Sequence, residues 1–289
     1  MNPVDIYINS LKAGGASDQT ISRFRQMSTQ FHVSVKHKKI CIKNDVLNFL
    51  ASLRDKEFSG SYLRFCWHIL KGFYLSNNWE WFTRDEEKRL RPKKSEPNMP
   101  FLTIDETRKI IEKAKQWGKE KGAWDIYARV RIAARTPIRR EELHRLNREH
   151  YKKPVLNIPT AKHGAKRPLT LDEETCNALD KYLEKLKRKR LGDKDALFLS
   201  THKTRISLSE LSAELQKLLK ECNIYRKGLG WHGIRRGCVT MLFKAGMKEK
   251  EIKEYGGWKT SEMVGHYIQL DQSEIQDKAQ KIHPIFKKN

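Results

Sequence analysis

The stretch GGWKTSEMVGHY, residues 256–267, contains the side chains on which the assignment of a fold to this chain rests. Tyr267 follows Trp258 by nine residues. A phenolic oxygen can attack phosphorus covalently, and an indole N–H is a pure donor that suits a phosphate oxygen. Either residue alone is ordinary, because most tyrosines and tryptophans pack in cores or lie on surfaces. The pair gains significance from two motifs that precede it.

These two upstream motifs supply cationic groups. In WHGIRRG, His232 and Arg235 are three residues apart at a predicted helix start, so both side chains lie on one helix face. In TPIRREEL, Arg139 follows Pro137, which resists continuation of a helix, and a rigid turn can aim a guanidinium inward. Arginine offers a planar fork to two phosphate oxygens, and histidine can accept a proton. The ordered set predicts cleavage of a DNA strand.

The charge of the chain indicates the same partner. Lys and Arg number 59 against 35 Asp and Glu, which gives a formal net charge of +24 spread over many short clusters. Double-stranded DNA presents about one negative charge per 1.7 Å of helix axis, so nucleic acid is the expected partner. An acidic membrane surface is the alternative partner.

Several classes of protein are excluded by what the sequence lacks. No apolar run approaches the roughly 18 to 20 residues that span a bilayer, and the first residues do not form a signal peptide. A cytoplasmic, nucleoid-associated protein without a membrane partner is therefore predicted. The five cysteines include no C-x-x-C pair, which predicts reduced packing residues rather than a zinc site or disulfides. Neither clustered carboxylates nor a phosphate-binding glycine loop appears, so no metal or other cofactor is expected.

A chain of 289 residues is long enough for two domains. RLRPKKSEPNMP, which begins at Arg89, has three prolines and a basic run, as is typical of an extended linker. We therefore predict a helical domain at 1–90, a linker at 91–99 and a second domain at 100–289.

The first domain shows apolar residues at helical spacing in four segments, which predicts a compact bundle of four or five helices. Ser17 or Asp18 is expected to cap the second helix, and Asn44 or Asp45 the third. The fold class of the whole chain is predicted as mainly α with a small β-sheet, because the second domain mixes both types of element.

In that second domain, a capping box of Thr103 and Glu106 predicts a helix that runs through Trp117. The sequence VLNIPTAKHGAKRPLTL alternates apolar and polar residues around His163-Gly164, which predicts a β-hairpin. Further helices are predicted at 124–135, from 140 or 141 onward, and at 172–189, 207–222, 232–245 and 248–255.

The order of these motifs resembles that of the tyrosine recombinase (phage integrase) family of site-specific DNA recombinases. TPIRREEL is similar to the family's T-G-x-R-x-x-E-L, and TAKHGAK is similar to T-K-T-G-x-K, which assigns the family's catalytic lysine to Lys162. The H-x-x-R box and the G-W dipeptide with a later tyrosine match the remaining motifs. The chain departs from the family at Pro137, where glycine is usual, and at Trp258, where histidine is more frequent. Lys166 and Arg167 compete with Lys162 for the lysine role.

The resemblance implies covalent catalysis without metal or ATP. Tyr267 would attack phosphorus to give a 3′-phosphotyrosyl link, Lys162 would protonate the leaving 5′ oxygen, and Glu142 would support the site, orienting Arg139 or His232. The implied catalytic residues are Arg139, Lys162, His232, Arg235, Trp258 and Tyr267. The N-terminal segments GASDQTISRFRQMSTQF and KNDVLNFLASL look like a core-binding domain that closes over DNA.

The implied partners are double-stranded DNA and further copies of the chain. Candidate DNA-binding residues are Arg64, Lys71, Lys166, Arg167 and Arg236. An apolar stripe after Tyr267, which includes Ile275, Ala279 and Ile282, predicts a tail helix. The resemblance implies that this tail docks on a neighbouring protomer in a homotetramer on paired DNA sites; docking on its own protomer is the alternative.

Two other functions stay open on the sequence alone. A type IB topoisomerase-like enzyme would use much the same residues in one protomer and relax DNA. A regulator that binds DNA without cleaving it would need the basic charge but not the ordered catalytic set. Integration of a mobile element, dimer resolution and inversion share the same chemistry.

Overall fold

The structure is a computed structural model, and it describes residues 2–94, 99–159, 167–187 and 192–268 together with 273, 276, 279 and 280. The chain divides into two compact units, Met1–Asn98 and Met99–Asn289, each with its own hydrophobic core. In the described ranges, no helix is long and apolar enough to cross a membrane. The separate roles predicted for 1–90, 91–99 and 100–289 stay a prediction.

The first unit is a bundle of five helices. They are α1 (Pro3–Ala13), α2 (Asp18–Ser34), α3 (Lys43–Asp55), α4 (Gly60–Ser76) and α5 (Arg84–Leu90). The first three helices all pack against α4, which buries Leu70, Phe73 and Tyr74 completely. Ser17 caps α2 by accepting a hydrogen bond from the N–H of Thr20. The apolar periodicity of this region therefore predicted its first four helices correctly, whereas α5, which buries none of its residues, was not among the segments that it identified.

The cap predicted for α3 was wrong. The helix begins at Lys43 after Ile42, ahead of Asn44 and Asp45. Asp45 nevertheless serves this helix end, because its Oδ2 accepts the backbone N–H of Ile42 at 2.9 Å. A capping carboxylate in the first helical turn looks like an N-cap in sequence, and this similarity explains the error.

The second unit is mainly helical. Its helices are α6 (Ile104–Lys121), α7 (Trp124–Arg135), α8 (Arg140–His144), α9 (Glu173–Lys187), α10 (Leu208–Glu221), α11 (Trp231–Lys244), α12 (Glu249–Gly256) and α13 (Glu262–Gly265). Thr103 and Glu106 form the predicted capping box of α6. That helix continues past Trp117 to Gly122, where a φ of 65° supplies the left-handed residue that ends it.

A three-stranded antiparallel sheet accompanies these helices, in the order β1 (Tyr151–Lys152), β2 (Val155–Ile158) and β3 (Arg167–Thr170). The β2–β3 pairing runs from Val155↔Thr170 to Ile158↔Arg167, which confirms the predicted hairpin strands. The turn at His163-Gly164 lies outside the described residues. β1 was not predicted, since two residues are too short for alternation to be recognised.

Two packing arrangements position the candidate site. α7 is central to the main core and packs against α6, α9 and α11. A smaller apolar cluster of Val239, Ile252, Trp258 and Val264 joins α11, α12 and α13. This second cluster brings the end of the GGWKTSEMVGHY stretch against the helix that carries Arg235.

Candidate active site

Arg139 occupies the turn between α7 and α8, where it is the N-cap of α8. Its backbone N–H donates to Oε2 of Glu142 at 2.8 Å, and its Nη1 donates to Oε1 of the same residue at 2.9 Å. Glu142 is fully buried. One carboxylate therefore fixes both the backbone and the side chain of Arg139.

Glu142 has a second arginine partner in Arg167, whose Nη2 donates to Oε2 at 2.9 Å. Burial raises the pKa of Glu142, but the hydrogen bond and charge of Arg167, followed by those of Arg139, bring this pKa below its ordinary value. Arg167 is only 7% exposed. The hydrogen bonds of its Nη1 and Nη2 that the structure shows go to Glu142, and its contact with DNA stays a prediction.

Arg235 is completely buried in α11. Its Nη1 donates to the carbonyl of Pro137, which ties α11 to the turn that carries Arg139. Its Nε and Nη2 have no acceptor among the described residues. Desolvation, followed by the charge of Arg139, lowers the pKa of Arg235 to about 10.

His232 lies one turn before Arg235 on α11 and is exposed. Desolvation by the surrounding protein lowers the pKa of His232, the carboxylate of Glu141 opposes this shift, and the guanidinium of Arg235 adds to it. The ring is therefore neutral at pH 7 and able to accept a proton. Sequence reasoning offered Glu142 as a partner for His232, whereas Glu141 is the carboxylate that acts on it here.

Trp258 lies at the centre of the site with 5% of its surface exposed. Its ring centroid is 4.0 Å from Cζ of Arg235, 6.0 Å from Cζ of Arg139 and 5.3 Å from the ring of Tyr267. A Cβ atom on Gly256 would overlap the indole, so glycine is needed there. The indole packs in a core, yet its Nε1 has no acceptor in the described part of the chain.

Tyr267 follows α13 and is half-buried. Its backbone N–H donates to the carbonyl of Val264 at 2.8 Å. Two guanidiniums lie near its ring, with Cζ of Arg235 at 5.1 Å and Cζ of Arg236 at 6.0 Å from the ring centroid. Arg236, whose contact with DNA stays a prediction, is 7% exposed, and its Nη2 donates to Sδ of Met99.

The other predicted residues lie outside the described ranges or in the first unit. Lys162 and Lys166 lie outside the described residues, as does most of the predicted tail helix. Arg64 and Lys71 are half-buried on α4 of the first unit, and Lys71 pairs with Glu87 at 2.7 Å. The described ranges contain no group of three or more His, Cys, Asp or Glu residues that could hold a metal ion.

The chemistry of the site follows from its unpaired donors. Buried side-chain atoms without a hydrogen-bond partner in the described ranges include Nε and Nη2 of Arg235, Nε1 of Trp258 and Nε of Arg167. All four are donors, and buried donors normally have acceptors. A ligand that only accepts hydrogen bonds and carries negative charge would satisfy them, and a phosphodiester has both properties.

Sequence reasoning missed two contacts and one electrostatic interaction. They are the Arg167–Glu142 pair, the Pro137 carbonyl that holds Arg235, and the action of Glu141 on His232. Only the Arg167–Glu142 pair had a signal in the sequence. Arg167 lies two positions before Leu169, so both side chains lie on the buried face of β3.

Comparison with known proteins identifies the family of this chain. Residues 100–274 match the model of the phage integrase family. The tyrosine recombinase XerC of Caldanaerobacter subterraneus subsp. tengcongensis is 25% identical over 191 residues, which cover 66% of this chain and 53% of that relative. The chain thus spans about half the length of this curated relative.

Solved structures share the fold. The Tn1549 transposon integrase in complex with transposon right end DNA superposes with a TM-score of 0.74 at 16% identity, over 98% of this chain and 99% of that one. A lambda integrase tetramer bound to a Holliday junction gives 0.71 at 17% identity, over 92% and 76% of the two chains. At these identities the likeness establishes the architecture alone.

Proposed function

Because the chain belongs to the phage integrase family, we propose that it is a site-specific tyrosine recombinase that cleaves and rejoins double-stranded DNA. The observation that carries the proposal is the set of unpaired donors on Arg235 and Trp258, which lie beside the ring of Tyr267. A scissile phosphate placed there supplies the missing acceptors and stands next to a nucleophile.

In the proposed reaction, the phenolic oxygen of Tyr267 attacks phosphorus. A bond forms between this oxygen and phosphorus while the bond from phosphorus to the 5′ oxygen breaks, which leaves a 3′-phosphotyrosyl link. His232 accepts the phenolic proton. A 5′-hydroxyl from a second strand then attacks the link and regenerates Tyr267, so neither ATP nor a metal is required.

The arginines act mainly on the transition state. The pentacoordinate phosphate carries more negative charge than the substrate, so fixed donors from Arg139, Arg235 and Trp258 stabilise it more. The cationic form of Arg235 is destabilised by burial before DNA binds, and an incoming phosphate relieves this destabilisation. Protonation of the leaving 5′ oxygen by Lys162 rests on the family resemblance alone.

The proposed assembly is a homotetramer on paired DNA sites. The lambda integrase tetramer on a Holliday junction supports this assembly. The five-helix unit serves as a DNA clamp in which Arg64 and Lys71 contact phosphates, and the C-terminal tail docks on a neighbouring protomer. The protein acts on nucleoid DNA in the cytoplasm, and mobile-element integration is one task that this chemistry serves.

The test uses fragments of the source genome. Wild type and Tyr267→Phe are incubated with them in EDTA, and DNA that stays attached to protein after boiling in detergent is sequenced. We expect wild type alone to retain DNA, and to retain one family of sites. Relaxation of an arbitrary supercoiled plasmid without site preference would favour a topoisomerase. Gel shifts by both proteins with no retained DNA would favour a regulator.

A further inference from the structure

We propose that Arg167 is a positioning residue, which holds the carboxylate of Glu142 in place and through it sets the orientation of the Arg139 guanidinium. The inference rests on the proposed function, because the orientation of Arg139 matters only when a phosphate is bound there. It assigns to Arg167 a role different from a direct DNA contact.

The hydrogen bonds of Glu142 form a bridge between the two arginines. Its Oε2 accepts the backbone N–H of Arg139 at 2.8 Å and Nη2 of Arg167 at 2.9 Å. Its Oε1 accepts Nη1 of Arg139 at 2.9 Å and Nη1 of Arg167 at 3.4 Å. Each carboxylate oxygen is thus shared by both residues, so rotation of the carboxylate would break bonds on both sides.

Burial makes this bridge dependent on Arg167. Glu142 is fully buried, and a buried carboxylate stays ionised only with close positive partners. The hydrogen bond and charge of Arg167 oppose the desolvation of Glu142 more than those of Arg139 do. Without Arg167, protonated Glu142 would keep fewer acceptor sites for Arg139.

The backbone of Arg167 is well suited to a fixed position. Arg167 begins β3 and pairs with Ile158 of β2, so a strand of the sheet carries it. Strands hold functional side chains more accurately than loops do. The bridge also joins β3 to α8 through two residues, Arg167 and Glu142, that lie 25 positions apart in the sequence.

One atom supports a competing role. Nε of Arg167 has no acceptor in the described part of the chain, and it has the chemistry to donate to a DNA phosphate. A direct contact would chiefly strengthen DNA binding, whereas a positioning residue acts on the cleavage rate of DNA already bound. The two roles are therefore separable by experiment.

The experiment compares Arg167→Met, Arg167→Lys, Glu142→Gln and the double variants Arg167→Met/Glu142→Gln and Arg167→Lys/Glu142→Gln. It measures the rate of covalent adduct formation at saturating DNA, the Kd, and the dependence of the Kd on salt. We expect Arg167→Met to lower the rate about 10- to 100-fold, by analogy with the loss of a residue that orients a metal ligand, with the Kd unchanged. Each double variant should be no slower than Glu142→Gln alone, because Arg167 acts through Glu142. Arg167→Lys should recover part of the rate, since it keeps the charge but not the fork.

The pH profile gives a readout that a purely structural role would not change. Loss of Arg167 raises the pKa of Glu142, and the ionised form is the active one. The Arg167→Met rate should therefore show a fall through this raised pKa in addition to the acid limb of His232 that it shares with wild type, and the double variant should lack this additional fall. Arg129→Met is the control, because Arg129 is also buried but pairs with Asp125 and Glu214.

Other outcomes overturn the proposal. A weaker Kd with a salt slope reduced by about 0.9, at an unchanged saturating rate, would make Arg167 a phosphate contact. A double variant whose rate losses multiply would show that the two residues act independently. If Arg167→Met folds poorly, the rates of Arg167→Lys and of Arg167→Lys/Glu142→Gln are compared with that of Glu142→Gln in the same way. Absence of an adduct with wild type would instead refute the proposed function.

Discussion

At the scale of single residues, Arg235 carries a charge in a fully buried position where a carbonyl is the acceptor that the structure shows for it. A buried charge without an anionic partner destabilises a folded protein, and apolar replacement of buried charges stabilises some proteins by about 1 to 4 kcal/mol. Arg235 therefore destabilises the free protein, although its charge and free donors suit it to bind a phosphate.

We expect Arg235→Met to raise the melting temperature of the free protein and to lower the cleavage rate by at least about a hundredfold, as for loss of a transition-state donor. Thermal unfolding and single-turnover adduct formation measure the two effects. Arg129→Met is the matched control, since loss of a buried arginine with two carboxylate partners should lower the melting temperature. A lower melting temperature for Arg235→Met would contradict this account of the site.

His232 gives a prediction about pH. Its pKa is lowered in the folded protein, so the neutral ring persists below its ordinary pKa of about 6.5 and is protonated only as pH falls further. We expect the fall in cleavage rate caused by protonation of His232 to lie below pH about 6.5. His232→Gln should be slower and lack this fall in single-turnover rates. An unchanged acid limb in the variant would remove His232 as the proton acceptor.

The sequence could predict the members of this site better than their contacts. Arg139, His232, Arg235 and Trp258 are recognisable because phosphate chemistry needs these residue types and because their order along the chain resembles that of the tyrosine recombinase family. The partner of Glu142 was not predictable, because an arginine has the same sequence signature whether it faces DNA or a buried carboxylate. The hydrogen bonds between Arg167 and Glu142 form only when β3 packs beside α8 in the folded protein.

At the scale of elements, the junction of α12 with Trp258 explains the glycine pair of GGWKTSEMVGHY. Gly257 has a φ of 65° and ends the helix, while Gly256 leaves room for the indole. The periodic helices and the hairpin strands were predictable from such local signals. α13 was not, because a helix of four residues shows no periodicity.

We expect Gly256→Ala to displace the Trp258 ring. The overpacking should destabilise the protein by about 1 to 3 kcal/mol and slow cleavage while DNA binding persists. Denaturant unfolding and adduct formation test this. Gly14→Ala is the control, because Gly14 also lies at the C-terminal end of a helix but has room for a Cβ. Equal behaviour of the two variants would show that the indole position is not critical.

At the scale of the whole molecule, the net charge of +24 predicts DNA binding that weakens steeply with salt. We expect Arg64→Gln to reduce the slope of log Kd against log salt by about 0.9, the value for one phosphate, and to leave the saturating cleavage rate unchanged. Filter binding over a range of salt concentrations measures the slope, with Tyr267→Phe as the control of unchanged slope. A slope unaffected by Arg64→Gln would remove this residue from the DNA interface.

The central claim is that Tyr267 is the nucleophile, and the most direct measurement identifies the residue that carries DNA. Wild-type protein is trapped on a nicked substrate in EDTA, the DNA is trimmed by nuclease, and the peptides are analysed by mass spectrometry. The account predicts a nucleotide 3′-phosphate attached to the peptide that contains Tyr267, and none in Tyr267→Phe. Attachment at another residue, or an adduct that persists in Tyr267→Phe, would contradict it.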